Sequence, residues 1–164
     1  MANDARQASQ PFRQRDIAKH VSPSESNPDR LSLRLQGPNA IAQAAGAARQ
    51  FGEAQGLAKD GLARLCIVIE ELVANLYDHG GVTEQDEVQL AIASRPGGIH
   101  VAIVDPGKPF DPWAFPPGGG NGTHGGAGLS LIRAWSELIS YRSSSDGNRL
   151  ELLLPSGGKP GDDQ

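Results

Sequence analysis

Residues 70–80 read Glu-Glu-Leu-Val-Ala-Asn-Leu-Tyr-Asp-His-Gly. They close a long apolar pattern in which Leu62, Leu65, Cys66, Ile69, Leu72, Val73 and Leu76 fall on one stripe of a helix. Glu71, Asn75 and His79 recur at i, i+4 and i+8 and form a different stripe. On a helical wheel Glu71 lies about 160° from the centre of the core stripe, and Asn75 about 120°. One face therefore packs. The other presents a carboxylate, which can take a proton, and an amide oxygen, a hard ligand that suits Mg²⁺. The same spacing also describes a plain solvated face, so its meaning depends on what surrounds it.

Outward from this stretch the chain alternates between two periods. Arg30–Gln36 has apolar residues at Leu31, Leu33 and Leu35, a half-buried strand. Gly37-Pro38-Asn39 starts an Ala-rich helix over 40–55, which Gly56 ends. The central helix runs from about Asp60 to His79 and stops at Gly80-Gly81. Strands over 87–94 and 99–104 meet at Arg95-Pro96-Gly97-Gly98, a hairpin signal. A Pro/Gly-rich loop over 106–126 precedes a third helix over 127–137. Two more strands, 138–143 and 149–154, meet at Ser145-Asp146-Gly147-Asn148. Segregated helices and hairpin-linked strands predict an α+β two-layer sandwich, with one mixed sheet covered on one face by three helices.

The composition narrows the function classes. The chain has 164 residues and a net charge of −4. Neither figure resembles the basic footprint of a nucleic-acid binder. No run of 18 apolar residues predicts a membrane span, and no apolar leader opens the chain, so a cytoplasmic location is expected. Residues 1–29 and 156–164 are polar and without apolar period; both are expected to be disordered tails flanking one domain over 30–155. The single Cys66 lies on the core stripe and reads as a small buried hydrophobe.

Two further stretches carry possible chemistry. Asp105 ends the apolar run His100–Val104, where a carboxylate is costly to bury unless a donor meets it. The exocyclic amino group of adenine is one such donor, and Gly107 lets the backbone approach a flat base. Asp-Pro-Gly is also an ordinary turn sequence. The cluster Gly125-Gly126-Ala127-Gly128-Leu129 opens a helix and exposes N–H groups suited to phosphate, or serves as a linker. Gly120–Gly125 matches G-x-G-x-x-G but follows a loop rather than a strand, which excludes the dinucleotide reading.

These stations occur in one order: Glu71-x-x-x-Asn75-x-x-x-His79, then Asp105-x-Gly107-x-x-Phe110-Asp111-Pro112, then Gly126-x-Gly128-Leu129-x-Leu131-Ile132. In this the chain resembles the GHKL ATPase superfamily, and more narrowly its anti-sigma-factor serine/threonine kinases. The resemblance covers about residues 30–155. It implies a Bergerat ATP-binding fold with ATP and Mg²⁺ as cofactors. It gives Asn75 the metal, Glu71 the role of base and Asp105 the adenine amino group, with Gly107 beside the ring. Gly126, Gly128 and Leu129 fall to the phosphate side, behind an ATP lid.

The chain departs from the family pattern at Pro109, which stands in place of a second glycine. It also lacks a basic residue just before Gly126, so Lys108 or His124 is left to meet phosphate, and no adenine-contacting Thr is evident near the last strand. The implied function is a protein kinase that phosphorylates a STAS-domain anti-sigma-factor antagonist, with a sigma factor and a second copy of the chain as further partners. The alternative is a non-catalytic, nucleotide-dependent module that sequesters a sigma factor or other regulator. For His79 the expected role is structural, at the end of the helix.

Overall fold

A computed structural model describes residues 27–114 and 125–156. The remaining residues, which include most of both tails, much of the lid loop and His124, lie outside the described set. The elements in chain order are β1 (Arg30–Leu35), α1 (Ala40–Ala54), α2 (Lys59–Asp78), β2 (Val88–Arg95), β3 (Gly98–Asp105), α3 (Gly125–Trp135), β4 (Glu137–Ser144) and β5 (Gly147–Pro155). Each expected element is present, with ends moved by one or two residues.

The five strands form one sheet in the order β1-β2-β3-β5-β4. Every neighbouring pair runs antiparallel. Hairpins join β2 to β3 and β4 to β5, while α3 carries the chain from the end of β3 across to β4. The helices cover one face, which gives the two-layer α+β sandwich of the Bergerat type.

Alternation decides which residues meet the helices. Along β5, Asn148, Leu150, Leu152 and Leu154 are buried and their neighbours only half-buried. They pair across to Asp105, Ile103, Val101 and Ile99 of β3, which face the same way. The β2–β3 hairpin pairs Arg95 with Gly98. This leaves Pro96 and Gly97 at the corner, and Gly97 has φ +92°. Pro fixes the first corner position and only glycine enters the second without cost.

Helix α2 spans 20 residues and is the centre of the core. Leu65, Ile69 and Val73 are fully buried on the expected stripe, and so is Val68 beside it. Cys66 joins them, and burial pushes its thiol pKa up. Helix α1 lies close against α2 because Gly52 has no side chain: a Cβ there would sit 2.6 Å from Leu62 Cδ1. No described helix is long and apolar enough to cross a membrane.

The core's cohesion is directly testable. Leu152 is fully buried between Val101 of β3 and Leu138 of β4. Leu152→Ala is expected to lower unfolding stability by about 2–5 kcal/mol, the range for deleting a buried leucine side chain. Urea titration followed by circular dichroism measures it.

Candidate functional site

The site sits where the C-terminal end of α2, the end of β3 and the start of α3 come together. Backbone bonds stitch the first two of these together. Helix α2 ends as His79 and Gly80 both donate to the Asn75 carbonyl, at 2.9 and 3.0 Å. The Gly80 carbonyl then accepts the Lys108 N–H at 2.7 Å. A Cβ on Gly107 would collide with that same Gly80 oxygen and come within 2.9 Å of Val82 Cγ2. So the glycine after Asp105 is needed for the chain to pass against the end of α2.

Asp105 is 5% exposed. Its Oδ1 accepts from the Gly107 N–H at 2.8 Å and from Asn148 Nδ2 at 3.1 Å. Among the described residues none donates to its Oδ2. Burial raises the Asp105 pKa above the usual carboxylate range, and the bonds from Asn148 and Gly107 oppose the rise.

Asn148 does more than hold Asp105. Its Nδ2 also reaches the carbonyls of Gly107 at 3.0 Å and Lys108 at 2.9 Å. It thereby fixes the whole Asp-Pro-Gly-Lys turn, while its own Oδ1 is buried without a partner. The sequence reading saw Asn148 only as part of a hairpin turn. The missed signal was its register: it occupies the same parity as Leu150, Leu152 and Leu154, a row otherwise wholly apolar.

On α2, Asn75 is buried at 4% exposure despite its wide angle from the core stripe. Its Nδ2 is buried and has no partner. Glu71 is half-buried one turn earlier. Its pKa is raised by burial first, then by Glu70 and Asp78. Across from it, Gly128 is buried in the first turns of α3, and a Cβ there would run into Glu71 Oε2. The carboxylate and the start of α3 are thus in direct apposition. Gly126 is different: it is exposed, and a Cβ on it would meet nothing within 4 Å. Leu129 is half-buried and packs on the core.

The segment after Gly107 is held from three sides. The Phe110 N–H donates to Tyr141 Oη at 2.8 Å. Arg133 of α3 donates from Nε to the Pro112 carbonyl at 2.8 Å, and also from its Nη2. The His79 ring stacks on Phe110, with centroids 6.0 Å apart and planes 20° from parallel. His79 therefore serves as the helix C-cap and as a platform for the Phe-Asp-Pro segment. Lys108 lays its stem over Gly81, within 3.3–3.4 Å of where a Cβ would lie.

The structure brings Glu71 together with Gly128, and Asp105 with Gly107, beside the end of the helix that carries Asn75. A cavity of 380 Å³ lies elsewhere, at the opposite end of α2. The site is instead defined by committed and uncommitted polar atoms.

No curated protein matches the chain. Among solved structures, the chain is similar to the RsbU and RsbW domains of Rv1364c from Mycobacterium tuberculosis, at 19% identity and a TM-score of 0.49. The similarity covers 77% of this chain and 32% of that one, so the chain spans about a third of that structure's length. The sequence profile of the histidine kinase-like ATPase domain matches residues 36–154, which takes in every described element except β1 and the last residue of β5. With that match over most of its length, the chain belongs to the histidine kinase-like ATPase domain family.

Proposed function

We propose that the protein is a cytoplasmic, ATP-dependent serine/threonine kinase of the anti-sigma-factor type, acting on a serine or threonine of a STAS-domain antagonist. The observation that carries this reading is Asp105. A buried carboxylate with one oxygen held by the chain and the other uncommitted is a costly arrangement. A ligand amino group that donates to Oδ2 offsets that cost, and adenine carries one.

The residues fit nucleotide and metal. Asn75 has a buried amide edge with nothing to bond. A half-turn of the amide exchanges nitrogen and oxygen, so that edge can offer its oxygen to Mg²⁺. When bound with ATP, the cation neutralises phosphate charge. The N–H groups at the start of α3, near Gly126, Gly128 and Leu129, suit the phosphates. Lys108 stands at the same end of the fold and is a second source of positive charge. Glu71 is placed to accept the proton of the attacking hydroxyl, and its raised pKa suits a base working near neutral pH. Phosphoryl transfer asks mainly for such positioning and charge stabilisation.

The decisive experiment is incubation with labelled ATP and a STAS-domain protein. Phosphoserine or phosphothreonine on the partner supports the kinase. Nucleotide binding that alters affinity for a sigma factor, with no phosphate on any partner, favours the non-catalytic module.

Asp105→Asn gives a paired prediction. The Asn oxygen can keep both bonds of Oδ1, while its NH₂ group faces the ligand amino group, donor against donor. ATP affinity is expected to fall by about 1–3 kcal/mol, measured by calorimetry. Stability is expected to move the other way. The folded-state pKa of Asp105 lies above the unfolded value. Its burial therefore costs nothing below the unfolded pKa and destabilises fully once pH has risen past the folded one. The Asn variant lacks that loss, so it should melt at or above the wild-type temperature at neutral pH. Equal ATP affinity in the two proteins would remove Asp105 from the adenine site.

A further inference from the structure

Asn148 is 3% exposed and lies directly opposite Asp105 in the β3–β5 pairing, on the face of the sheet that the helices cover. Its Nδ2 has three acceptors within reach: Asp105 Oδ1 at 3.1 Å, the Gly107 carbonyl at 3.0 Å and the Lys108 carbonyl at 2.9 Å. An amide nitrogen carries two hydrogens and an amide oxygen none. A half-turn of this side chain would set its oxygen against three other oxygens. The amide is therefore fixed in one sense, unlike that of Asn75, whose nitrogen has no partner. Its Oδ1 is the group left over, buried and without a donor among the described residues.

Beside it stands Asp105, whose Oδ1 is taken by Gly107 and Asn148 while no described residue donates to Oδ2. Two adjoining side chains thus offer a ligand acceptors alone. The carboxylate by itself is a poor filter between purines. A 6-aminopurine brings an amino N–H and a 6-oxopurine brings its N1–H, so either can donate to Oδ2. They differ in the rest of position 6. The amino group has a second hydrogen, whereas the 6-oxopurine has an oxygen. Against a fixed acceptor that oxygen has no proton to share, and both groups are left buried and unpaired.

We propose that Asn148 is a specificity-determining residue of the nucleotide site: its Oδ1 accepts the second hydrogen of a 6-amino group and rejects 6-oxopurine nucleotides. The inference rests on the nucleotide reading given above and adds to it the residue that excludes guanine and hypoxanthine.

The test is binding to the full chain, without turnover. Calorimetry in Mg²⁺ compares ADP with inosine diphosphate. The wild type is expected to bind ADP about 10- to 100-fold more tightly. In Asn148→Thr a hydroxyl that turns to donate or accept replaces the fixed oxygen. The ratio between the two ligands is expected to narrow about tenfold, whatever happens to the separate affinities. A residue that only holds the turn would weaken both ligands alike and leave the ratio unchanged. A second measurement needs no variant. Accepting a hydrogen bond deshields a carbonyl carbon, so the Asn148 side-chain ¹³Cγ resonance of the wild type is expected to move downfield with ADP and not with inosine diphosphate. Equal affinity for the two ligands, an unchanged ratio in Asn148→Thr, or a ¹³Cγ resonance that ignores bound ADP would overturn the proposal and leave the nucleotide reading standing. Failure of both ligands to bind would remove that reading and this inference with it.

Discussion

Glu71→Gln is expected to bind ATP as tightly as the wild type and to transfer phosphate about 10²–10⁴ times more slowly, the usual worth of a general base. The amide keeps the size and the half-buried position of the side chain on α2, so the helix has little reason to change. It cannot take a proton. A group that acts only in the transition state affects rate and spares ground-state binding. The pH profile supplies a second check. Burial, with Glu70 and Asp78 nearby, raises the Glu71 pKa. The base works only when ionised, so wild-type activity should fall on the acid side at a pH above the ordinary carboxylate range, and the Gln variant should lose that limb. Single-turnover transfer from labelled ATP to the STAS partner measures both. Undiminished transfer by the variant takes Glu71 out of the mechanism.

Asn75→Ala should behave in the opposite sense, by losing binding. A metal held before and during transfer contributes to both states, so removing its protein ligand lowers ATP affinity in Mg²⁺, on the order of 10–100-fold. The same variant should no longer respond to chelation of the metal. Stability provides the contrast. Asn75 Nδ2 is buried without a partner, so truncation to Ala removes an uncompensated polar group and adds a good helix former. The variant is expected to melt no lower than the wild type. An Asn that served only the helix would leave affinity and chelator response untouched. Calorimetry with and without Mg²⁺ separates these outcomes.

The fold was legible wherever burial follows a local period. The stripe from Leu62 to Leu76 announced α2, and alternation announced each strand, because side-chain direction is set by backbone repeat. Strand order was not legible. Placing β5 between β3 and β4 depends on how α3 crosses the sheet, which no short window of sequence encodes. The site divides in the same way. Asp105 and Gly107 stood out as a carboxylate and a glycine at the end of an apolar run, and Glu71 and Asn75 as polar residues at one spacing. Their partners come from far along the chain. Asn148, Gly80 and the stacking of Phe110 on His79 acquire their roles only through tertiary contact. Gly126 and Gly128 look equivalent in sequence, yet only Gly128 has an atom of Glu71 where its side chain would be.

The Asn148 clamp also bears on how the protein is assembled and how it opens. Its three bonds reach back 40 to 43 residues to the end of β3. Contacts of such sequence separation form late, after closure of the intervening chain has been paid in entropy. The β4–β5 hairpin lies at the edge of the sheet, and its strands pair with the other strands through β3 alone. Each time it detaches, Asp105 and the turn after it lose the side chain that holds them. Amide exchange in β5 and in residues 105–108 should therefore share one opening event. A nucleotide that binds only the closed form should slow exchange in both segments by the same factor.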